Sequence, residues 1–413
     1  MGSRRNPATR TEIERAIALV ARLGQAGAAR ELGVDRSTLR GWLMRGEVAA
    51  KSEEIEPSAH EQEVLGLQDT VRTLRASLNA VHRDNLTAEV VRKQILGLAA
   101  HTPEPPKWLL KPAKAHGFAG VPCTLWSDWH WGEVVDPSQL NGVNQYDMTI
   151  AHQRARALVE KIIDLSFNHM TGADYPGIVV CLGGDMISGD IHDELSETNE
   201  QPTMPVLLDL FGVLTWALKT MADRFGRVFV PCVAGNHGRN THKPRMKQRA
   251  YSNFDWLLYN FLERHFADDK RVQFHIPAGT DANFAIYGHR YLLTHGDNLG
   301  VKGGDGIIGS LGPILRGTFK TSNASGAMGM PFDTILMGHW HQLMQMRRIV
   351  VNGSLKGWDE FAKTALRAPP EAPAQALWFT HPKHGITAQW PVYLGEPRQA
   401  ANDQWVSWAK EAA

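Results

Sequence analysis

Five polar motifs, each placed at the end of an apolar run, constrain most strongly how this 413-residue chain folds. They read Ser127-Asp128-Trp129-His130, Gly183-Gly184-Asp185, Gly235-Asn236-His237, Thr294-His295-Gly296-Asp297 and Gly338-His339-Trp340-His341. A short apolar run bounded by glycine and polar residues reads as a buried strand. The motifs therefore place side chains that bind metals at strand ends, in an order spread over about 210 residues. Single Asp and His residues mean little, but five such motifs in one order are hard to produce by chance. Asp, Asn and His with no Cys is a donor set for hard and borderline divalent ions. It suits a hydrolytic metal pair better than a structural zinc.

The stretches between the motifs predict alternating strands and helices. Residues 121–126, 177–182 and 227–234 read as strands, and 147–169, 204–224 and 250–266 as helices. Shorter strands follow at 272–276, 283–287, 290–294, 333–337, 343–352, 374–380 and 386–393. Helical crossovers followed by hairpins predict an α/β fold of two packed sheets flanked by helices. Asp128, Asp185 and Asn236 each follow a predicted strand closely, so all three converge on one edge, where open α/β sheets gather ligands. Residues 300–330 are glycine-rich and carry Lys302, Arg316 and Lys320. Lying between two motifs, they read as a mobile loop covering the site, with an inert surface excursion as the plainer alternative.

Residues 1–50 hold nine Arg, no Lys and five acids, a local net of +4 against +1 for the whole chain. This marks a small basic all-α module on a near-neutral body. Thr11 with Glu14 reads as a capping box, and Ile13, Ile17, Val20 and Leu23 as the apolar face of a first helix. Ala28 and Ala29 allow close helix approach, Gly33 permits a turn, and Leu32, Val34, Leu39 and Trp42 occupy core positions. Together, residues 11–46 resemble the helix-turn-helix of resolvase-like and small-terminase-like DNA binders. The second helix, 36–45, would present Arg36, Ser37, Thr38, Arg40 and Arg45, side chains that bind phosphates or, for Arg, guanine edges. DNA is the expected partner; a helical bundle for protein contacts is the alternative. Residues 47–58 read as an acidic linker. Over 59–100, Val64, Leu67, Val71, Leu74, Leu78 and Val81 follow heptad spacing, a seam for homo-oligomerisation or for packing on the rest of the chain.

Composition narrows the setting. No apolar run reaches the roughly 18 residues of a membrane span, and the first residues lack the apolar segment of a secretory signal. Cys123, Cys181 and Cys232 each sit in a predicted strand and read as buried thiols, consistent with a reducing cytosol. No membrane partner is expected, and the expected location is cytoplasmic.

The order D-x-H, GD, GNH, H and GHxH, over roughly residues 118–355, resembles the calcineurin-like metallophosphoesterase superfamily. Within it, the chain is similar to phage or prophage phosphoesterases and, more distantly, to SbcD-type DNA nucleases. The resemblance implies an αββα sandwich over 118–398. Ahead of it stand the helix-turn-helix domain (1–50) and a connecting helical segment (51–117); residues 399–413 form a tail. Two divalent ions are implied, manganese foremost, with Fe, Zn, Ni, Co or Mg as alternatives. Carried over by position, one ion takes Asp128, His130, Asp185 and His341, and the other Asp185, Asn236, His295 and His339. Asp185 bridges them through its two oxygens. The implied reaction is phosphoester hydrolysis by water activated between the ions, with His237 stabilising the transition state and protonating the leaving group. One departure is that many members carry an acid after GNH, where this chain has Gly238 and Arg239. His237 therefore needs another partner.

Around this centre, Arg239, Lys243, Arg245, Lys247 and Arg249 form a basic run without an acid. It reads as a track for a polyanion, against a solvated face. His192 and Arg239 are the expected substrate contacts. Trp126, Trp129 and Trp131 read as core, with stacking on a nucleobase as the lesser option. The leading expectation is a metal-dependent phosphodiesterase acting on DNA and tethered by its N-terminal module. The first rival is a phosphomonoesterase or small cyclic-nucleotide phosphodiesterase that the module only localises. The remote one is an inactive DNA-binding scaffold, against which the intact ligand set argues.

Overall fold

The computed structural model describes residues 9–52, 120–170, 174–300 and 310–395. The predicted heptad helix over 59–100, the tail over 399–413 and Lys302 lie outside the described residues. The chain divides into two compact units, residues 1–84 and 85–413.

In the first unit, α1 spans Arg10–Glu31 and α2 spans Arg36–Ser52. The capping box is made by Thr9 with Glu12, not by Thr11 with Glu14. Thr9 holds extended backbone (φ −70°, ψ 160°) while Thr11 is already helical, and only a residue outside the helix can turn its hydroxyl onto the free N–H groups. Gly24, at φ 66°, breaks α1 into two helical pieces. The buried face is Ala16, Leu19, Ala28, Ala29 and Leu39, with Val20, Leu32, Val34 and Trp42 packed against it. Ile17 (44% exposed) and Leu23 (43%) fall outside it, so the expected apolar face is displaced by one position. The helix continues through 47–52, where a linker was expected.

The second unit is mixed α/β with two mixed sheets. Its strands are β1 (Val121–Trp126), β2 (Ile178–Leu182), β3 (Val228–Pro231), β4 (Val272–His275), β5 (Asp281–Ile286), β6 (His289–Thr294), β7 (Thr334–Met337), β8 (Met344–Gln345), β9 (Ile349–Val351), β10 (Ala374–His381) and β11 (Gly385–Tyr393). Its helices are α3 (Met148–Phe167), α4 (Asp193–Thr198), α5 (Thr203–Phe225), α6 (Phe254–His265), α7 (Leu311–Ala327) and α8 (Glu360–Thr364). The first sheet runs β11-β10-β1-β2-β3-β4 and the second β5-β6-β7-β9-β8. β1 to β4 are mutually parallel, as are β6, β7 and β9; β10, β11, β5 and β8 pair antiparallel.

Strand periodicity decides the layering. Val121, Cys123 and Leu125 of β1 and Val179 and Cys181 of β2 point one way. They meet Phe284, Tyr291, Leu293, Leu336 and Val350 of the second sheet in one core. The alternate residues Ile178, Val180 and Leu182 pack with α3, α5 and α6. Ile314 of α7 joins Leu292, Ile335, Met337, Ile349 and Val351 on the far side of the second sheet. The three cysteines are buried and free, as read from the sequence.

α5 is, among the described residues, the one helix long and apolar enough by length and composition to cross a membrane. It buries Leu207, Leu210, Leu214 and Leu218 in the core and exposes Leu208 and Trp216. Much of the stretch expected to be a covering loop, 300–330, is helix α7. Pro313 stands in its first turn, where the missing N–H costs nothing. Buried Ile314 and Gly317 dock the helix, the glycine lying against Leu299. The predicted strand over 343–352 is split into β8 and β9.

Candidate metal centre

All five motifs leave the carboxyl ends of parallel strands: β1, β2 and β3 in one sheet, β6 and β7 in the other. Turning a ligand back from a strand end demands unusual backbone. Asp128 (φ 57°), His130 (48°), Asp185 (51°), His339 (70°) and His341 (53°) all adopt the left-handed region that non-glycine residues avoid. Two glycines make the close approaches possible. A Cβ on Gly184 would strike the Gly235 backbone, and one on Gly235 would overlap the Asp185 carboxylate.

Three overlapping donor groups result: Asp128, His130 and His341; His130, Asp185 and His237; and Asp185, His295 and His339, each with its ligand atoms within 4.8 Å of one another. The first and third match the two implied ligand sets, and Asp185 is shared between the second and third. Nε2 of His130 lies 3.1 Å from Nε2 of His341, which is 3.4 Å from Asp128 Oδ1. Nε2 of His295 lies 2.9 Å from Asp185 Oδ2 and 3.2 Å from Asn236 Oδ1, which brings Asn236 into the third group. The seven predicted ligands thus converge. Asp128, His130, Asp185 and His295 are buried, whereas His341 is partly open to solvent. The donors fit divalent cations: imidazoles, two carboxylates and an amide oxygen, with no thiolate.

Electrostatics agree. Burial pushes His130 and His339 down to about 4, leaving neutral rings with lone pairs to give. Burial also lowers His237. For His295, burial opposes the proton, but Asp185 and Asp128 outweigh it and raise the ring to about 10. Without a metal, that proton offsets the buried carboxylates. Burial likewise opposes charge on Asp185, yet His295 and His237 hold it well below the usual carboxylate range.

His237 donates its backbone N–H to Asp185 Oδ1 (2.7 Å), and its Nδ1 lies 2.9 Å from the Ser188 carbonyl. That carbonyl is the partner the sequence left open after Gly238. Its ring sits edge-on to His130, centroids 4.5 Å apart. His192, exposed at the start of α4, stands 6.2 Å from the His237 ring at the cleft mouth.

Arg239 is part-exposed and bonded to its own loop. Its guanidinium donates to the carbonyls of Asn236, Thr241 and His242, so it braces its own loop. Lys243, Arg245 and Lys247 are exposed beyond it, while Arg249 pairs with Asp297. Trp126, Trp129 and Trp131 are all fully buried, which excludes stacking on a base. In the first unit Arg36 and Arg40 are exposed. The hydroxyls of Ser37 and Thr38 instead bond to Asp35, 2.5 and 2.8 Å away, and thus help cap α2.

Sequence reasoning missed a supporting layer. Asp255 accepts N–H bonds from Gly235, Asp185 and Met186 (2.9, 3.0 and 3.2 Å), tying two motif loops together; burial and the Asp185 charge raise it to about 7. Lys356 donates to Glu133 (2.7 Å) and Asp359 (2.6 Å), all three buried. Only the Asn-x-Asp cap at 253–255 left a trace in the sequence. A cleft of about 670 Å³ opens on His130, Asp185, His237 and His339. Compared with known proteins, the chain matches no family model, and no curated protein is significantly similar to it.

Proposed function

We propose that this protein is a metal-dependent phosphodiesterase of the calcineurin-like type, built as an αββα sandwich around a two-ion centre, and that DNA is its substrate. The observation that carries this reading is the chain of overlapping donor groups, in which His130 links Asp128 and His341 to Asp185, and Asp185 links His130 to His295 and His339; such an overlap would let one carboxylate serve two ions. Asp128, His130, Asp185 and His341 would hold one ion, and Asp185, Asn236, His295 and His339 the other. The chemistry such a pair supplies is a lowered pKa for a shared water and charge to offset the phosphoryl oxygens. His237, with Nδ1–H on the Ser188 carbonyl, keeps Nε2 as a free lone pair that would first take up a proton, from the attacking water or from solvent, and then pass it to the leaving oxygen. Support for DNA comes from the basic first unit, whose helices, Gly33 turn and exposed Arg36 and Arg40 suit a helix-turn-helix. The exposed Lys243, Arg245 and Lys247 beside the centre add to it.

A second reading, a small-substrate phosphoesterase, is favoured by the cleft itself. Its walls carry Asp193, Glu194, Glu360 and Glu371 beside Trp358, Phe361 and Leu366, and the one Lys or Arg among its described lining residues, Lys356, is buried and paired. A polyanion gains nothing from such walls. The test is hydrolysis with Mn of plasmid, linear and single-stranded DNA beside a chromogenic diester, for wild type and Asp185→Asn. The proposal expects Mn-dependent cleavage of both classes, lost in the variant. Cleavage of the small diester alone selects the second reading, and wild-type turnover in Asp185→Asn at equal metal occupancy refutes the shared centre.

A further inference from the structure

We infer that Glu133 is a positioning residue for this centre, a buried carboxylate that fixes the His130 ring with Nδ1–H inward and the Nε2 lone pair toward Asp128 and His341. The inference rests on the metal reading above. Glu133 follows His130 by three residues in the loop after β1, and its Oε2 lies 3.2 Å from His130 Nδ1. That nitrogen is buried and makes no well-aligned hydrogen bond, so the Glu133 carboxylate 3.2 Å away is the charge it faces. A neutral imidazole has one N–H, and an ionised carboxylate accepts only. The proton therefore belongs on Nδ1. Nε2, 3.1 Å from His341 Nε2, then meets it as an unprotonated donor atom.

The carboxylate is itself fixed by two further donors. Ser188 Oγ, in the loop after β2, donates to Oε2 at 3.0 Å. Lys356, after β9, donates to Oε1 at 2.7 Å and is held in turn by Asp359, the N-cap of α8. Buried ion pairs contribute little net stability, so packing alone gives no reason for three charges beneath one ring. Orienting a ligand does give one: imidazoles that bind metals commonly donate their second N–H to a carboxylate. Ser188 extends the effect, since its carbonyl holds Nδ1 of His237 while its hydroxyl holds Glu133. One carboxylate thereby braces a ligand ring and the loop that orients the proposed proton donor.

The experiment compares full-length wild type, Glu133→Ala, Glu133→Gln and Ser188→Ala. Mn binding is followed by calorimetry, the His130 tautomer by long-range ¹H–¹⁵N spectra of the metal-free protein, and folding by circular dichroism. Wild type should show the Nδ1–H tautomer. Glu133→Ala should lose about 10- to 100-fold in affinity at one site and leave the second unchanged. Glu133→Gln, which keeps an acceptor oxygen, should recover part of the loss. If Glu133→Ala does not fold, Glu133→Gln and Ser188→Ala carry the comparison, each expected to weaken one site only. Unchanged Mn affinity in folded variants, or an Nε2–H tautomer in wild type, overturns the inference while leaving the metal reading standing. A wild type that binds no Mn overturns both.

Discussion

Five of the seven proposed ligands sit at positive φ, where a non-glycine residue costs roughly 1–3 kcal/mol. Those residues are held there by specific bonds: His339 N–H donates to Asp128 Oδ1 at 2.8 Å, and Asp185 N–H to Asp255. The ligands were legible in the sequence because each motif carries its own donor atoms next to a strand end. Lys356 and Asp255 were not, because Lys356 reaches Glu133 and Asp255 reaches Asp185 only across long stretches of chain; Glu133, three residues after His130, reads as an ordinary loop acid until the fold buries it. The bonds of Arg239 to its own loop were not legible either: a basic residue beside a site looks the same in sequence whatever its guanidinium meets. At this scale, His237→Ala should lower turnover of an unactivated diester by roughly two to four powers of ten, as removal of a proton-transfer group does. Mn affinity should stay close to wild type. A good leaving group such as p-nitrophenolate should mask part of the loss, and equal losses on both substrates would argue against leaving-group protonation.

Elements bring these residues together through loops in backbone contact. Gly235→Ala places a methyl group on the Asp185 carboxylate, so it should reduce Mn affinity by at least about tenfold, as disturbed ligand positioning does. A folded Gly235→Ala protein with wild-type calorimetry would show that the loops need not touch. Away from the centre, Arg290 at the start of β6 bonds Asp333, just before β7, and hydrogen bonds from Arg290 hold the Asp333 carboxyl down to about 2. A folded pKa below the unfolded value adds stability that is present above about pH 4 and lost as pH falls toward 2. The pair is partly exposed, so the effect should be under about 1 kcal/mol. Urea unfolding of Asp333→Asn should therefore show a shallower decline than wild type between these pH values, and parallel curves would remove the pair from the acid response. The positions of β1, β2 and β3 were legible as hydrophobic runs because fully buried parallel strands are apolar throughout. Helix α7 escaped notice because its glycines and Pro313 mimic a loop, while its packing on Ile314 is a tertiary effect.

For the whole molecule, composition marks a basic module over residues 1–50 on a near-neutral body, and the chain divides into compact units at 84/85. The cleft's acidic wall was not legible, since Asp193, Glu194, Glu360 and Glu371 come together only in the fold. Deleting residues 1–58 should leave hydrolysis of a small diester intact while weakening duplex DNA binding. The difference should shrink as salt rises, because phosphate contacts release counterions. Equal binding by both forms at low salt would take DNA tethering away from the module, and loss of small-diester turnover would mean the module is part of the catalytic unit. The claim beneath all of this is that Asp185 is shared by two metal ions. The direct measurement is anomalous scattering from crystals of the full-length protein soaked in Mn, recorded on both sides of the Mn absorption edge. The account predicts two peaks about 3.5–4 Å apart, one beside Asp128, His130 and His341, the other beside Asn236, His295 and His339, with the Asp185 carboxylate between them. A single peak, or peaks away from Asp185, would contradict it.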